Sequence, residues 1–152
     1  MSRAKNKVDS TNIIPIILKD FETVIKLVND DWGTVAFKIP RNEISKQLRA
    51  IKELNYNSIY FLSGIEGVTR KLYVGQASIR NNGMSAIARL MEHDRNEEER
   101  YFHIWNTALV ITNNNDNWTL DDIAALEAYF KHEIPQERNL NGYNPRSGGG
   151  RL

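Results

Sequence analysis

The chain has 152 residues, 41% hydrophobic and 26% charged, with 20 basic against 19 acidic side chains. That size suits one compact domain with a real core, and the ordinary composition excludes disordered, collagenous and coiled-coil classes. The absence of cysteine removes disulfide scaffolds, thiolate zinc sites and cysteine nucleophiles, and a net charge of +1 excludes a generic polycation held to nucleic acid by bulk electrostatics.

No membrane span is expected. The longest apolar run, Ile13 to Leu18, is interrupted by Pro15 and closed by Lys19 and Asp20, far short of the roughly twenty residues needed. Met1 to Ser10 is polar and lacks the apolar stretch of a signal peptide, so the reading is a cytoplasmic protein with a frayed basic start.

In chain order, Asp20 to Asn29 sets Phe21, Val24, Ile25 and Val28 at i, i+3, i+4 and i+7, which predicts an amphipathic helix. Asp30, Asp31 and Gly33 break it, and Thr34 to Ile39 alternates as a strand ended by Pro40. Asn42 is placed to cap a second helix, with Ile44, Leu48 and Ile51 at helical spacing to about Leu54. Ser58 to Ser63 and Lys71 to Gly75 read as the two strands of a hairpin, with Gly64 to Thr69 as its turn.

After a loop at Asn81, Asn82 and Gly83, Met84 to His93 is a helix carrying Ile87, Leu90 and Met91 inward. Asp94 to Arg100 reads as a charged, solvated connection. Thr107 to Thr112 is a buried strand, and Asn113 to Asn117 its turn. Thr119 with Asp122 three residues on predicts a capped helix running to about His132 before Pro135, and the glycine-rich tail from Arg146 reads as disordered. The expected fold is mixed α/β, of the α+β kind: a small central antiparallel three-stranded sheet flanked by helices, with an N-terminal helix-strand-helix extension.

Three places depart from a plain core pattern. Glu127 lies against the apolar stripe of Ile123, Leu126 and Phe130, so it is either an edge residue reaching solvent or a carboxylate whose desolvation a cation offsets. Arg89 and His93, at i and i+4, present a fixed cation and a titratable imidazole to one point, a pairing suited to phosphate chemistry. Tyr60 and Tyr73 sit on the adjacent strands of the hairpin, and Gly75 marks a place where a backbone or ligand approaches closely. His103 and His132 complete no zinc spacing, so a metal here would be a hard cation held by carboxylate.

The order of these pieces resembles the GIY-YIG nucleases, a group that includes homing endonucleases, restriction enzymes and an excision-repair incision domain. The resemblance is carried by Ser58-Ile59-Tyr60 and Tyr73-Val74-Gly75, then Arg89-Leu90-x-x-His93 on a helix, then Leu126-Glu127 on a later helix, followed by asparagines at Asn139, Asn141 and Asn144. It covers residues 58 to about 145, so we divide the chain into an N-terminal extension (1–57) packed on the same domain, a nuclease-like domain (58–145) and a tail (146–152). Ser58 replaces the family's leading glycine. Arg80 competes with Arg89 for the family arginine, and the helical setting with His93 favours Arg89. Asn139 and Asn141 both fit the asparagine position.

The resemblance implies metal-dependent hydrolysis of a DNA phosphodiester. Glu127 would ligate one Mg²⁺ or Mn²⁺, Tyr60 would take a proton from the attacking water or align it through Tyr73, Arg89 would stabilise the phosphorane charge, and His93 would assist. Tyrosine ionises near pH 10, so this role asks for nearby positive charge to favour the phenolate. The alternative is a non-catalytic nucleic-acid-binding or interaction module on the same scaffold. The charges are unevenly spread: Lys38, Arg41, Lys46, Arg49 and Lys52 face only Glu43 within 38–52, after Arg3, Lys5 and Lys7. Lys38, Arg41, Lys46, Arg49 and Arg80 are therefore the expected DNA contacts, with weak, salt-sensitive binding by the isolated chain.

Overall fold

Apolar alternation from Ser58 onward folds the chain back on itself as a long hairpin, and the other elements are arranged around it. In the computed structural model, which describes residues 14–18, 21 and 23–141, β4 (Ser58–Glu66) pairs with β5 (Thr69–Ala77) in antiparallel register, Tyr60 opposite Gly75. The turn is the two-residue Gly67-Val68, shorter and later than the expected Gly64–Thr69. Gly67 has φ +65°, the geometry a glycine-first hairpin turn requires. Gly64 belongs to β4 at a register shift against β6 (Trp105–Asn113), and a Cβ there would lie 1.9 Å from the Ile104 carbonyl oxygen.

Among the described residues the sheet has six strands in the order β1-β2-β3-β6-β4-β5, with β1 (Ile14–Ile17), β2 (Ile25–Asn29) and β3 (Thr34–Pro40) forming an antiparallel meander. This corrects the expected three-stranded sheet. The expected trio is present as β4, β5 and β6, but β3 pairs along the whole of β6 and joins the N-terminal strands to it.

The expected N-terminal helix over 20–29 does not form. Residues 25–29 are strand β2, turned onto β3 through Asp30–Gly33 with Gly33 at φ +65° and the Trp32 amide donating to Asn29 Oδ1. A stripe of four apolar positions fits a short strand of branched residues as well as a helix, and sheet pairing decides between them.

The second expected helix, capped by Asn42, is also absent. Residues 41–55 form three successive 3₁₀ turns, and Pro40, not Asn42, occupies the position before the first. Leu48, Ile51 and Leu54 are three apart, the 3₁₀ period, and the amides of Leu48, Ile51 and Leu54 each bond three residues back. Leu48 and Leu54 are fully buried.

The two later helices stand where expected. After the short α1 (Ile79–Asn82), α2 (Ala86–Arg95) is capped by Ser85 Oγ, which accepts from the Ala88 amide, and α3 (Leu120–Glu133) by the Thr119–Asp122 capping box. The α2 face of the sheet holds the larger core, where Phe37, Ile39, Leu62 and Val110 meet Ile87 and Leu90. On the other face Ile59 and Val74 are buried with Ile123 of α3. The basic N-terminal residues Arg3, Lys5 and Lys7, Asn144 and the tail from Arg146 lie outside the described residues. Among the described residues no helix is long and apolar enough to cross a membrane.

Candidate active site

A cleft of about 410 Å³ opens at the edge of β5, lined by Tyr60, Tyr73, Gly75, Gln76, Arg89, Glu92, His93, Glu99, Tyr101 and Glu127. Its floor follows from the hairpin register. Gly75 stands opposite Tyr60, and a Cβ on Gly75 would fall 2.5 Å from both Cζ and Oη of the Tyr60 ring. The close approach expected at Gly75 is thus made by a side chain of the protein itself. Tyr73, two residues before Gly75, stands diagonally from Tyr60 with ring centroids 6.2 Å apart.

α2 supplies the next wall. His93 is buried, with Nε2 2.8 Å from Tyr60 Oη and Nδ1 3.0 Å from Glu99 Oε2. Tyr101 stacks on Tyr73 at 4.8 Å between centroids and closes the aromatic wall around the imidazole. Burial pushes the Tyr60 hydroxyl well above the usual tyrosine range, the neighbouring Tyr73 adds to this, and Arg89 acts in the opposite direction without overcoming it. Arg89 is the nearby positive charge that the sequence reading asks for, and by itself it does not offset the burial of Tyr60. Burial also raises Tyr101, reinforced by Tyr73 and Glu99.

Arg89, one turn before His93, pairs loosely with Glu92 at 3.5 Å, and its Nε is buried without a hydrogen-bond partner. From the other face of the sheet α3 brings Glu127, whose side chain is 17% exposed. Glu127 Oε1 accepts from Gln76 Nε2 at 2.6 Å, and Oε2 pairs with Lys131 at 3.1 Å. It sits at the edge of the α3 stripe and lines the cleft, which agrees with the edge reading of its position.

Glu127 is the carboxylate that would hold a hard cation here, with Gln76 and Lys131 already on its two oxygens. Three carboxylates, Glu92, Glu99 and Glu127, line the cleft with one guanidinium, and no group of three or more metal-binding side chains gathers among the described residues. A lone carboxylate holds Mg²⁺ or Mn²⁺ when water supplies the remaining positions, an arrangement Mg²⁺ favours.

The other sequence candidates lie elsewhere. Asn141 bonds both backbone groups of Val74, accepting its amide at 2.7 Å and donating to its carbonyl, and the Leu140 amide donates to Leu72. Asn139 donates to the Lys131 carbonyl and accepts from the Asn141 amide. Both asparagines thus seal the free edge of β5 just before the cleft, where Gln76 is the next residue facing outward. Arg80 pairs with Asp116 at 2.6 Å and does not line the cleft, whereas Arg89 does.

The five expected DNA contacts do not form one patch. The Arg41 guanidinium is held by Asp94 at 2.7 Å and by the carbonyls of Phe102 and Trp105, and it lies over both of those rings. Lys38 lies in a groove with Phe61 and Leu109 on the α3 face. Lys46 and Arg49 are exposed on the 3₁₀ turn that packs beside α2. Residues 94–100 are more than a solvated connection, since Asp94 anchors Arg41 and Glu99 anchors His93. Glu99, Tyr101, Gln76 and Glu92 are the cleft residues that sequence reasoning passes over. The available signal was the aromatic pair Tyr101-Phe102, which turns an acidic run back onto the core.

No protein-family model matches the chain, and no curated protein or solved structure is significantly similar to it.

Proposed function

We propose that the protein is a divalent-metal-dependent nuclease that hydrolyses DNA phosphodiester bonds in the manner of the GIY-YIG enzymes it resembles. The observation that carries this reading is convergence: Tyr60, Tyr73, Arg89, His93 and Glu127, from two strands and two helices, line one cleft. A cytoplasmic setting, where DNA and Mg²⁺ are both at hand, goes with it.

Glu127 would hold the ion, which would supply positive charge to the scissile phosphate and the leaving oxygen. Arg89, at the cleft wall, stabilises the added charge of the transition state. Tyr60 orients the attacking water with a hydroxyl lone pair. As it takes the water proton it passes its own to His93 Nε2, 2.8 Å away, so no free phenolate is needed. Tyr73 packs beside Tyr60 and holds its ring in line. Lys46 and Arg49, beside α2, are the exposed cations that approach the DNA backbone.

The test is an assay of purified protein with supercoiled plasmid, branched duplexes and single strands, each with Mg²⁺ or with chelator. Nicking that needs Mg²⁺ is the expected result. Metal-indifferent binding with no cleavage of any substrate would leave a binding module instead.

A further inference from the structure

Glu99 belongs to none of the motifs that carry the nuclease resemblance, yet its carboxylate is the partner of His93 Nδ1. Its carboxylate oxygens lie 3.1 and 3.0 Å from His93 Nδ1, and its side chain is 17% exposed against 8% for the imidazole. A carboxylate only accepts, so Nδ1 must carry the hydrogen. In the neutral ring the lone pair is then on Nε2, at 2.8 Å from the Tyr60 hydroxyl, and that hydroxyl donates. Had Nε2 carried the hydrogen, the bond to Tyr60 would run in the opposite sense and the imidazole could not accept the Tyr60 proton.

The loop is shaped to hold Glu99 there. Asn96 closes α2, the Glu99 amide donates to the Asn96 carbonyl, and the Phe102 amide donates to the Glu99 carbonyl. Two residues on, Tyr101 stacks on Tyr73 and so pins the loop to β5. The groups facing His93 are accordingly Tyr60 from β4, Tyr73 from β5, and Glu99 and Tyr101 from the loop.

We infer that Glu99 is a positioning residue that fixes the Nδ1–H tautomer of His93, and with it the direction of proton transfer from Tyr60. This rests on the nuclease reading for its role in turnover, while the tautomer itself is a property of the free protein. The arrangement repeats the logic of a carboxylate–histidine–hydroxyl relay, with tyrosine in the hydroxyl position.

The experiment is nitrogen-15 NMR of the His93 side chain at neutral pH in the full chain, for the wild type, Glu99→Ala and Glu99→Gln, with plasmid nicking measured on the same samples. In the wild type the spectrum should show protonated Nδ1 and bare Nε2. Glu99→Ala should release the preference and let Nε2–H appear. Glu99→Gln, whose amide oxygen still accepts from Nδ1, should retain the wild-type pattern and confirm that the fold survives. Nicking should fall about 10- to 100-fold in Glu99→Ala and less in Glu99→Gln. Bare Nδ1 in the wild type, or an unchanged tautomer in Glu99→Ala, overturns the inference. A wild type that shows the expected tautomer but cuts no DNA would remove the nuclease reading and leave Glu99 as the residue that sets the imidazole.

Discussion

The two faces of the sheet are built differently, and the cleft draws on both. On the α2 face, Phe37, Leu62, Ile87, Leu90 and Val110 are fully buried, and Tyr60 and His93 are set into the end of that core. On the α3 face the buried apolar residues are Ile59, Val74 and Ile123, and an apolar groove lined by Leu27, Trp32, Ile111 and Trp118 runs beside the helix. α3 is fastened by its capping box, by Ile123, by the edge contact of Phe130 on Phe61 and by the Gln76–Glu127 bond. On the proposed reading, the groups that would move protons are held by close packing, while the carboxylate that would meet the cation rides on α3, where Ile123 is the buried side chain. A water-rich Mg²⁺ shell tolerates that asymmetry, whereas a hydrogen bond that must point in one direction does not.

The contrast is sharpest in stability. Leu90→Ala, in the α2 core, should cost about 2–5 kcal/mol, and Leu126→Ala, half-buried on α3, about 1 kcal/mol or less. Chemical denaturation of both variants measures the difference, and equal losses would break the comparison. Arg89→Ala should lower the cleavage rate about 10²- to 10³-fold, roughly 3–4 kcal/mol of barrier, with binding of uncleaved DNA changed far less. A rate equal to wild type would remove Arg89 from the site.

Gly75→Ala tests how tightly the α2 side is built. Its added methyl meets the Tyr60 ring, so about 1–3 kcal/mol of stability should be lost together with the Tyr60–His93 bond. Full cleavage by this variant would show that the Tyr60 ring has room the geometry denies it. The smallest effect is alkaline. Because burial raises Tyr60 in the folded state above its unfolded value, its contribution to stability is complete below about pH 10 and declines as pH rises beyond it, by about 1.4 kcal/mol per unit. Denaturation curves at a series of pH values should show this slope on top of that of Tyr101, which burial raises in the same direction, and Tyr60→Phe should make the decline shallower by the Tyr60 share.

What the sequence made legible follows from how local each signal is. Tyr60, Tyr73, Arg89, His93 and Glu127 could be read because regular elements carry them at recognisable spacing, and their order along the chain held the pattern together. Glu99 could not, since an irregular loop has no period and its acidic run looks solvated. The joining of β3 to β6 pairs Thr34 with Asn113, a contact no local window contains. The 3₁₀ turns at 41–55 are hard to tell from an α-helix in sequence, because their three-residue apolar spacing also fits one side of an α-helix. Asn139 and Asn141 stand after α3 as the motif order leads one to expect, but they serve the edge of β5 through backbone bonds that residue type alone does not specify.

The most direct measurement of the central claim is the initial rate of Mg²⁺-dependent plasmid nicking by Glu127→Ala, with the thermal unfolding of the same sample. The α3 wall, where Ile123 is the buried side chain, predicts unfolding within a few degrees of wild type and nicking reduced at least about 10³-fold, the scale of losing several kcal/mol of transition-state stabilisation. Wild-type nicking by a folded Glu127→Ala would contradict the assignment of this cleft as a metal-dependent nuclease site.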